Sequence, residues 1–292
     1  MINFSDNELL EYLNDDIPYL DLTTYLQNIN DKKAKLEIFT REDIIVSCSE
    51  EASRIAILQN CKVEYFIPSK QKLKAGDKIL AFSGDYNTIH KIWRTVQLLL
   101  EYSCKIATYT NNMKKKIEKV NSSCELLTTR KTYPFSKKFC IKSILVGQAF
   151  PHRLNLSETI LFFAHHRIVY KNDEEFYKEL KVFKQKAPEK KIVVEVTTFE
   201  DAKAVLEAKA DVLQLDKLDI ETIKRIVDYK NENFADVKLL ATGGINLNNV
   251  EEYAKTQVDA IVTSSMYSCG MANLGSKISL IETVKYSVSK KF

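Results

Sequence analysis

The sequence predicts an α/β protein whose second half consists of parallel strands joined by helices. From residue 191 onward, four apolar strand-like segments alternate with three amphipathic helical segments, at roughly 20–25 residues per unit. Such alternation requires right-handed crossovers, as in a barrel or an open doubly wound sheet. The first hundred residues follow a different pattern of short strands and a tight turn, which predicts a separate α+β domain.

The first domain is predicted to end in a long helical stretch. Its strand candidates are "DIIVSCS", "KVEYFIP" and "KILAFSG", with a turn at Gly76 and Asp77, and "SEEASRIAILQN" predicts a helix. Residues 86–120 predict a long helix, kinked or broken within, that leads into the second domain. We therefore place the N-terminal domain at residues 1–108 and the second domain at residues 109–270.

The second domain is predicted to hold six strands and three regular helices. Thr198 is positioned to cap the first of these helices. The helices are "TTFEDAKAVLEAK", "DIETIKRIVDYK" and "NLNNVEEYAKT". The strands, in chain order, are "CELLTT", "ETILFFAH", "KKIVVEV", "ADVLQLD", "VKLLATGG" and "VDAIVTSS".

Polar or basic residues follow each of these strands, at the point where the apolar run stops. In β/α barrels the active site lies at this carboxyl end of the strands. A Gly-Gly pair there lets backbone N–H groups approach a phosphate, although a tight turn explains the pair equally well. The residues are Arg130 with Lys131, His165 with His166, Glu195, Asp216, Gly243 with Gly244, and Ser264 with Ser265. Their common direction indicates a single site, with an anion as one ligand.

Composition excludes several classes of protein. A formal net charge of +4 on 292 residues is too small to indicate nucleic acid by itself. The six cysteines form no C-x-x-C pair and no zinc spacing with histidine, which favours buried thiols in a reducing compartment. No apolar run reaches the length of a membrane-spanning helix, and the acidic N-terminus does not resemble a signal peptide. We expect a soluble, cytoplasmic protein.

Several short motifs occur in the order and spacing of one enzyme family. They are "DDIPYLDLTT", "WRTVQLLLEYSCKIAT", "TRKT", "HRLNLSE", "VVEV", "LQLDK", "GGI" and "VDAIVTSS". The chain resembles the quinolinate phosphoribosyltransferase family over nearly its whole length. It is most similar to the ModD branch, often encoded beside molybdate transport genes, on the "PHRLNLSETILFFAHHR" segment.

The resemblance implies a type II phosphoribosyltransferase fold: an N-terminal α/β sandwich and an incomplete, TIM-like α/β barrel. The tail at residues 271–292 is expected to return to the first domain. The implied reaction joins 5-phosphoribosyl 1-pyrophosphate to a ring nitrogen and releases pyrophosphate. Mg²⁺ is the implied cofactor, and the implied assembly is a homodimer or a higher oligomer. Arg94, on the long helix, is expected to reach across the dimer interface into the partner's site.

The resemblance assigns roles to the strand-end residues. Arg130, Lys131, His152 and Arg153 would bind pyrophosphate or an acceptor carboxylate, because Arg donates bidentately and Lys acts as a point charge. Lys131, Glu195 and Asp216 are the candidate catalytic residues, with the two carboxylates holding ribose hydroxyls and Mg²⁺ directly or through water. Gly243, Gly244 and Ser264 would bind the 5-phosphate, although the family more often has Gly at the last position. A solvated basic turn and helix-capping carboxylates are the simpler alternatives.

Phe163 marks a departure from the family pattern. Aligning "LSETILFFAHH" with "LxDxVLIKDNH" places Phe163 where quinolinate enzymes have a lysine that binds a carboxylate, and Ala164 and His165 replace Asp and Asn. A phenyl ring cannot pair with a carboxylate, and burying an unpaired carboxylate is costly. The acceptor would then lack the second carboxylate or be another heterocycle, unless Arg153 or His165 compensates.

Three functions follow from these observations. The first is a ModD-type phosphoribosyltransferase acting on a quinolinate-like aromatic N-heterocycle. The second is a true decarboxylating quinolinate phosphoribosyltransferase of NAD biosynthesis. The third is a non-catalytic anion-binding barrel linked to molybdate transport, which would have no need of Glu195 and Asp216.

Overall fold

The structure is a computed structural model that describes residues 2–282. It divides into two compact units, one formed by the chain up to Thr108 together with the chain from Gly270, the other by Tyr109–Cys269. Of the predicted tail at residues 271–292, the part from residue 283 onward lies outside the described residues. Its described part contains a strand that belongs to the first unit.

The first unit is a four-stranded antiparallel sheet with helices packed on one face. Its helices are α1 (Asp6–Asp16), α2 (Leu22–Gln27) and α3 (Ser49–Leu58). Its strands are β1 (Lys33–Thr40), β2 (Ile44–Ile45), β3 (Lys62–Phe66), β4 (Lys72–Leu73), β5 (Lys78–Asp85) and β13 (Leu274–Ile281). The sheet order is β13-β1-β5-β3, and β2 and β4 form a separate antiparallel pair.

Strand β1 shows how this sheet acquires its two faces. Ala34, Leu36 and Ile38 alternate along it and are completely buried, as the period of two requires. The opposite face carries ion pairs between strands, such as Lys35 on β1 with Glu64 on β3 at 2.8 Å and Lys78 on β5 with Glu37 on β1 at 2.6 Å. The sheet therefore has one apolar and one charged face.

The long helix α4 (Tyr86–Val120) is a single uninterrupted element of 35 residues. The predicted break within this stretch is therefore wrong. The physical reason is visible in the sequence, because the segment contains neither glycine nor proline, the usual causes of a break. Trp93, on this helix, donates from Nε1 to Ser276 Oγ at 2.8 Å.

The second unit is an open sheet of seven parallel strands with helices between them. The strands are β6 (Glu125–Thr128), β7 (Phe150–Pro151), β8 (Ile160–Phe162), β9 (Ile192–Val196), β10 (Val212–Asp216), β11 (Lys238–Thr242) and β12 (Ala260–Thr263). The helices are α5 (Lys137–Val146), α6 (Ala164–Arg167), α7 (Asp173–Lys186), α8 (Phe199–Glu207), α9 (Ile220–Asn233), α10 (Val250–Lys255) and a 3-10 helix (Ser265–Ser268).

The strand order β7-β6-β12-β11-β10-β9-β8 leaves β7 and β8 as the two edges of this sheet. The predicted incomplete barrel and all six predicted strands are therefore confirmed, while β7 was not predicted. The interior is apolar: Leu240, Ala260 and Val262 form a buried cluster, against which Leu127 and Val212 pack. Thr198 caps α8 as predicted, its hydroxyl accepting from the Asp201 N–H at 3.1 Å.

Two further expectations concern the state of the cysteines and the presence of membrane-spanning helices. All six cysteines are free thiols, and five of them are buried. Among the helices within residues 2–282, none is both long enough and apolar enough to cross a membrane.

Candidate active site

A cavity of about 190 Å³ opens at the carboxyl ends of the parallel strands. It lies where β6, β7, β8, β9 and β10 end, which is the location that the strand-end pattern predicts. Seven of the predicted site residues line it: Arg130, Lys131, His152, Arg153, Phe163, Glu195 and Asp216. Thr129, Leu161, Gln214, Thr242 and Val262 complete the lining.

One side of the cavity concentrates positive charge. Arg130 and Lys131 are exposed and follow β6, whereas Arg153 follows β7 and is only 9% exposed. Burial lowers the pKa of Arg153, and the neighbouring Arg130 charge lowers it further. Within residues 2–282, none of these three cations forms an ion pair with a carboxylate. A cluster of like charges without a counterion favours the binding of an anion.

His152 lies between β7 and Arg153 and is held by its backbone. Its N–H donates to the Thr128 carbonyl oxygen at 2.9 Å, which extends the pairing of β7 with β6. Burial lowers the pKa of the imidazole below its usual value, and the charge of Arg153 acts in the same direction. The ring is therefore mostly neutral near pH 7 and is available to donate one hydrogen bond and to accept another.

The same cavity lining carries two carboxylates on neighbouring strands. Glu195 belongs to β9, and Asp216 is the last residue of β10. Burial raises the pKa of Glu195, and the charge of Asp216 raises it further. Two carboxylates that repel each other in this way are stabilised by a cation between them. Glu195 and Asp216 are thus suited to a hard metal ion that keeps most of its water.

Gln214 is a site residue that was not predicted from the sequence. It faces Glu195 directly across the β10–β9 pair, and its Nε2 donates to Glu195 Oε2 at 2.8 Å. The sequence contains a signal for Gln214, because it is a polar residue within an apolar strand, two positions before Asp216. Residues two apart share one face of a strand, so the position of Asp216 implied that of Gln214.

The Gly243–Gly244 pair follows β11 and has the backbone of a tight, left-handed turn. Their φ angles are 91° and 72°. A Cβ on Gly243 would lie 2.8 Å from the Lys217 backbone nitrogen and 2.9 Å from Asp216 Oδ1, so only glycine fits beside the end of β10. The carbonyl of Gly244 accepts from the Asn249 side chain at 3.2 Å. Because this carbonyl is engaged by the scaffold, the N–H groups of the turn are the groups left for an anion.

Two of the predicted regions lie outside the cavity lining. Gly243, Gly244 and Ser264 lie at the ends of β11 and β12, at the same edge of the sheet, but do not line the cavity. Arg94 belongs to the first unit, where it is exposed and its guanidinium stacks on Trp93 at 4.3 Å. There it lines a separate cavity of about 420 Å³ that also includes Asp15 and Asp16.

Phe163 forms an apolar wall of the strand-end cavity, next to Leu161. Its N–H donates to His166 Nδ1 at 2.9 Å, and the two rings stack with centroids 5.7 Å apart. His166 thereby holds the half-buried phenyl ring in place. His165 is exposed and does not line the cavity, whereas Arg153 does. Of the two residues proposed to compensate for the absent lysine, only Arg153 is positioned to do so.

The fold and this site define a class of enzyme that binds a phosphorylated, polyanionic substrate at the strand ends of an incomplete barrel. The chain belongs to the quinolinate phosphoribosyl transferase family: the model of its N-terminal domain matches residues 21–104, and that of its C-terminal domain matches residues 106–272. The protein is therefore a phosphoribosyltransferase. This membership disfavours the non-catalytic alternative.

Relatives within the family carry two kinds of name. The chain is 31% identical over 267 residues to the ModD protein of Pasteurella multocida, named as a pyrophosphorylase, covering 91% of this chain and 95% of that protein. It is 32% identical to a protein of Methanocaldococcus jannaschii named as a carboxylating nicotinate-nucleotide pyrophosphorylase, covering 90% and 93%. The nicotinate-nucleotide pyrophosphorylase structure from Francisella tularensis shares the fold, with a TM-score of 0.84 and 24% identity over 95% of this chain and 98% of that one.

Proposed function

We propose that the protein transfers a phosphoribosyl group from 5-phosphoribosyl 1-pyrophosphate to a ring nitrogen of a flat aromatic heterocycle. The observation that carries this proposal is the pairing, in one cavity, of the uncompensated cations Arg130, Lys131 and Arg153 with the carboxylates Glu195 and Asp216. The cations match a polyanion, and the carboxylates match the positive charge that develops at the ribosyl carbon.

The chemical step has a simple balance of bonds. The nitrogen lone pair forms a bond to the anomeric carbon of the ribose while the bond from that carbon to the pyrophosphate oxygen breaks. The bonding electrons leave with pyrophosphate, whose added charge Arg130 and Lys131 are placed to stabilise. Fixing both substrates in line converts an encounter into an intramolecular event, which accounts for much of the rate enhancement in such reactions.

Mg²⁺ fits the residues present. Within residues 2–282 there is no group of three or more His, Cys, Asp or Glu side chains able to enclose a metal. Mg²⁺ does not need one, because it usually binds through one or two carboxylates together with substrate phosphates and water. Glu195 and Asp216 would hold it, and when bound it would neutralise phosphate charge.

The identity of the acceptor depends on Phe163. The apolar wall formed by Phe163 and Leu161 favours an aromatic ring over a second carboxylate. We therefore propose a ModD-type activity on a heterocycle that is less charged than quinolinate. The alternative is a decarboxylating quinolinate phosphoribosyltransferase, which is favoured by one observation: Arg153 is buried in the same lining and offers a second cation to a dicarboxylate.

Binding of the phosphoribosyl donor tests the proposal without knowledge of the acceptor. Calorimetry of the wild-type protein with 5-phosphoribosyl 1-pyrophosphate should give binding that depends on Mg²⁺. Glu195→Gln and Asp216→Asn should lose the Mg²⁺-dependent part. Asp219→Asn is the matched control, since it removes a carboxylate three residues further on while asparagine retains the cap of α9. Binding that is unaffected by Mg²⁺ would contradict the proposal.

The proposed dimer is tested by complementation between two defective chains. Arg94 is exposed and remote in sequence from the strand ends, and the family resemblance is the ground for expecting it in the partner's site. Mixing Arg94→Ala with Arg130→Ala should restore activity in the mixed dimers, since one of the two sites is then intact. Full activity of a monomer, or of Arg94→Ala alone, would remove the composite site from the mechanism.

A further inference from the structure

Arg167 links two segments of the candidate site without lining the cavity. It is the last residue of α6, and its side chain is only 10% exposed. One terminal nitrogen donates to both carboxylate oxygens of Asp201, at 2.9 and 3.0 Å. The other terminal nitrogen donates to the backbone carbonyl oxygen of Glu195 at 2.7 Å. We call these contacts the Arg167 bridge.

Both ends of the Arg167 bridge are fixed by other contacts. Asp201 lies in the first turn of α8, where its N–H is bound by the Thr198 cap, and its Oδ1 accepts from the Tyr177 hydroxyl at 2.7 Å. The guanidinium carbon lies 4.8 Å from the centroid of the Phe176 ring. The bridge therefore joins α6 to the first turn of α8 and to the end of β9, and it is packed against Phe176.

The guanidinium of Arg167 leaves one of its buried donors unsatisfied. Arg167 Nε is buried and has no partner within the described part of the chain. An unsatisfied buried donor costs free energy, and a buried ion pair is weak evidence for a contribution to stability. Both points favour a positional role over a purely stabilising one.

Arg167 connects the segment that carries Phe163 to the strand that carries Glu195. Phe163 immediately precedes α6, a helix of four residues, and Glu195 lies at the other end of the bridge. We propose that Arg167 is a positioning residue that fixes the spacing between the acceptor wall at Phe163 and the carboxylate at Glu195. This proposal rests on the proposed transferase function and assigns to Arg167 no contact with substrate.

Arg167→Ala and Arg167→Lys test the proposal together. Misplacing reacting groups by about 1 Å costs up to about a hundredfold in rate, so kcat should fall by that order in Arg167→Ala. The KM for 5-phosphoribosyl 1-pyrophosphate should rise by less than kcat falls, because the cations and the glycine turn are not part of the bridge and only the contribution of Glu195 to donor binding is disturbed. Arg167→Lys keeps the charge but not the fork, so it should fold and still lose most of kcat.

Two further measurements separate positioning from a general loss of structure. Millimolar guanidinium should restore part of kcat to Arg167→Ala, and urea at the same concentration should not. Amide hydrogen exchange of residues 160–170 and 195–201 should be faster in Arg167→Ala and should slow again with guanidinium. Arg54→Ala is the matched control: Arg54 also donates to both oxygens of a carboxylate, those of Asp6 at 2.8 and 2.6 Å, but it lies in the first unit, and its loss should change neither kcat nor exchange in these segments.

Each outcome is decisive. Wild-type kcat in both Arg167 variants, with unchanged exchange in the two segments, would overturn the proposal. Loss of activity that guanidinium does not restore, with faster exchange throughout the chain, would assign Arg167 to stability alone. If the wild-type protein transfers phosphoribose to no acceptor, the proposed function fails, and the exchange measurement still decides whether Arg167 holds the two segments together.

Discussion

Replacing Phe163 by lysine should shift the acceptor preference of the enzyme toward quinolinate. Phe163 lines the strand-end cavity and is half-buried, so a lysine there would place its ammonium in or beside the acceptor space. In the wild-type protein, the wall formed by Phe163 and Leu161 has no cation that could pair with the second carboxylate of quinolinate. In the wild-type protein, quinolinate should therefore be a poor acceptor compared with a heterocycle that carries one carboxylate.

The size of the shift follows from two opposing contributions. A charge-assisted hydrogen bond to the second carboxylate contributes about 1.5–3 kcal/mol, which is about ten- to a hundredfold in affinity. Against this stands the rotamer freedom that the lysine loses when it is ordered on the carboxylate, which costs about 1.5–2 kcal/mol. The net gain should therefore lie near the lower end, at about tenfold.

The assay is pyrophosphate release with a panel of pyridine and pyrimidine carboxylates. The quantity compared is the ratio of kcat/KM for quinolinate to kcat/KM for a monocarboxylate. Phe163→Met is the matched control, because methionine resembles lysine in shape and loses the same stacking but carries no charge. The ratio should rise in Phe163→Lys and not in Phe163→Met.

Efficient use of quinolinate by the wild-type protein, unchanged in Phe163→Lys, would refute this reasoning. Phe163 would then be part of the core, and Arg153 would be the residue that meets the second carboxylate. An equal change in Phe163→Lys and Phe163→Met would show that the ring matters through packing and not through the missing charge.

Three further predictions concern the donor side of the site. Gly243→Ala should destabilise the protein by about 1–3 kcal/mol and weaken donor binding, as urea unfolding and calorimetry would measure. Gly244→Ala should be less destabilising: both glycines have positive φ, but only a Cβ at Gly243 would clash with backbone atoms. Arg130→Gln should weaken pyrophosphate binding by about ten- to a hundredfold, with a smaller effect at high salt, in a competition assay. The pKa of His152 is lowered in the folded state, so the unfolded chain binds a proton first and the stability of the fold falls as the pH drops through the folded-state pKa. His152→Gln removes this effect. In urea unfolding, the variant should therefore lose less stability between pH 7 and about pH 5 than the wild-type protein.

The parallel half of the fold was predictable because each strand there is an apolar run that ends in polar residues. The antiparallel half was less so. Strand β1 was missed although Ala34, Leu36 and Ile38 alternate with polar residues in the sequence, which is a usable signal. The pairing of β13 with β1 joins segments more than two hundred residues apart, and β7 has only two residues. Local patterns specify neither.

The sequence predicted which residues form the candidate site but not the contacts between them. The strand-end pattern and the family motifs identified seven residues of the cavity lining, including Glu195 and Asp216. The strand-end pattern named His166, but neither pattern predicted its contact with Phe163, and neither named Arg167, whose guanidinium contacts the Glu195 carbonyl oxygen. These contacts depend on how α6 turns after β8, and a helix of four residues leaves almost no periodic signal.

The departures from the family pattern are Ser264 and the segment around Phe163, and of these only the Phe163 segment lines the cavity. Arg130, Lys131, Glu195, Asp216 and the glycine turn match the motifs that handle the phosphoribosyl donor. Phe163, Ala164 and His165 do not match, and they all lie in or just before α6. A change of donor would require the cations or carboxylates to differ as well. The Phe163 segment borders only one wall of the cavity. The substrate expected to differ from that of quinolinate enzymes is therefore the acceptor, while the donor is expected to be held by the same charges.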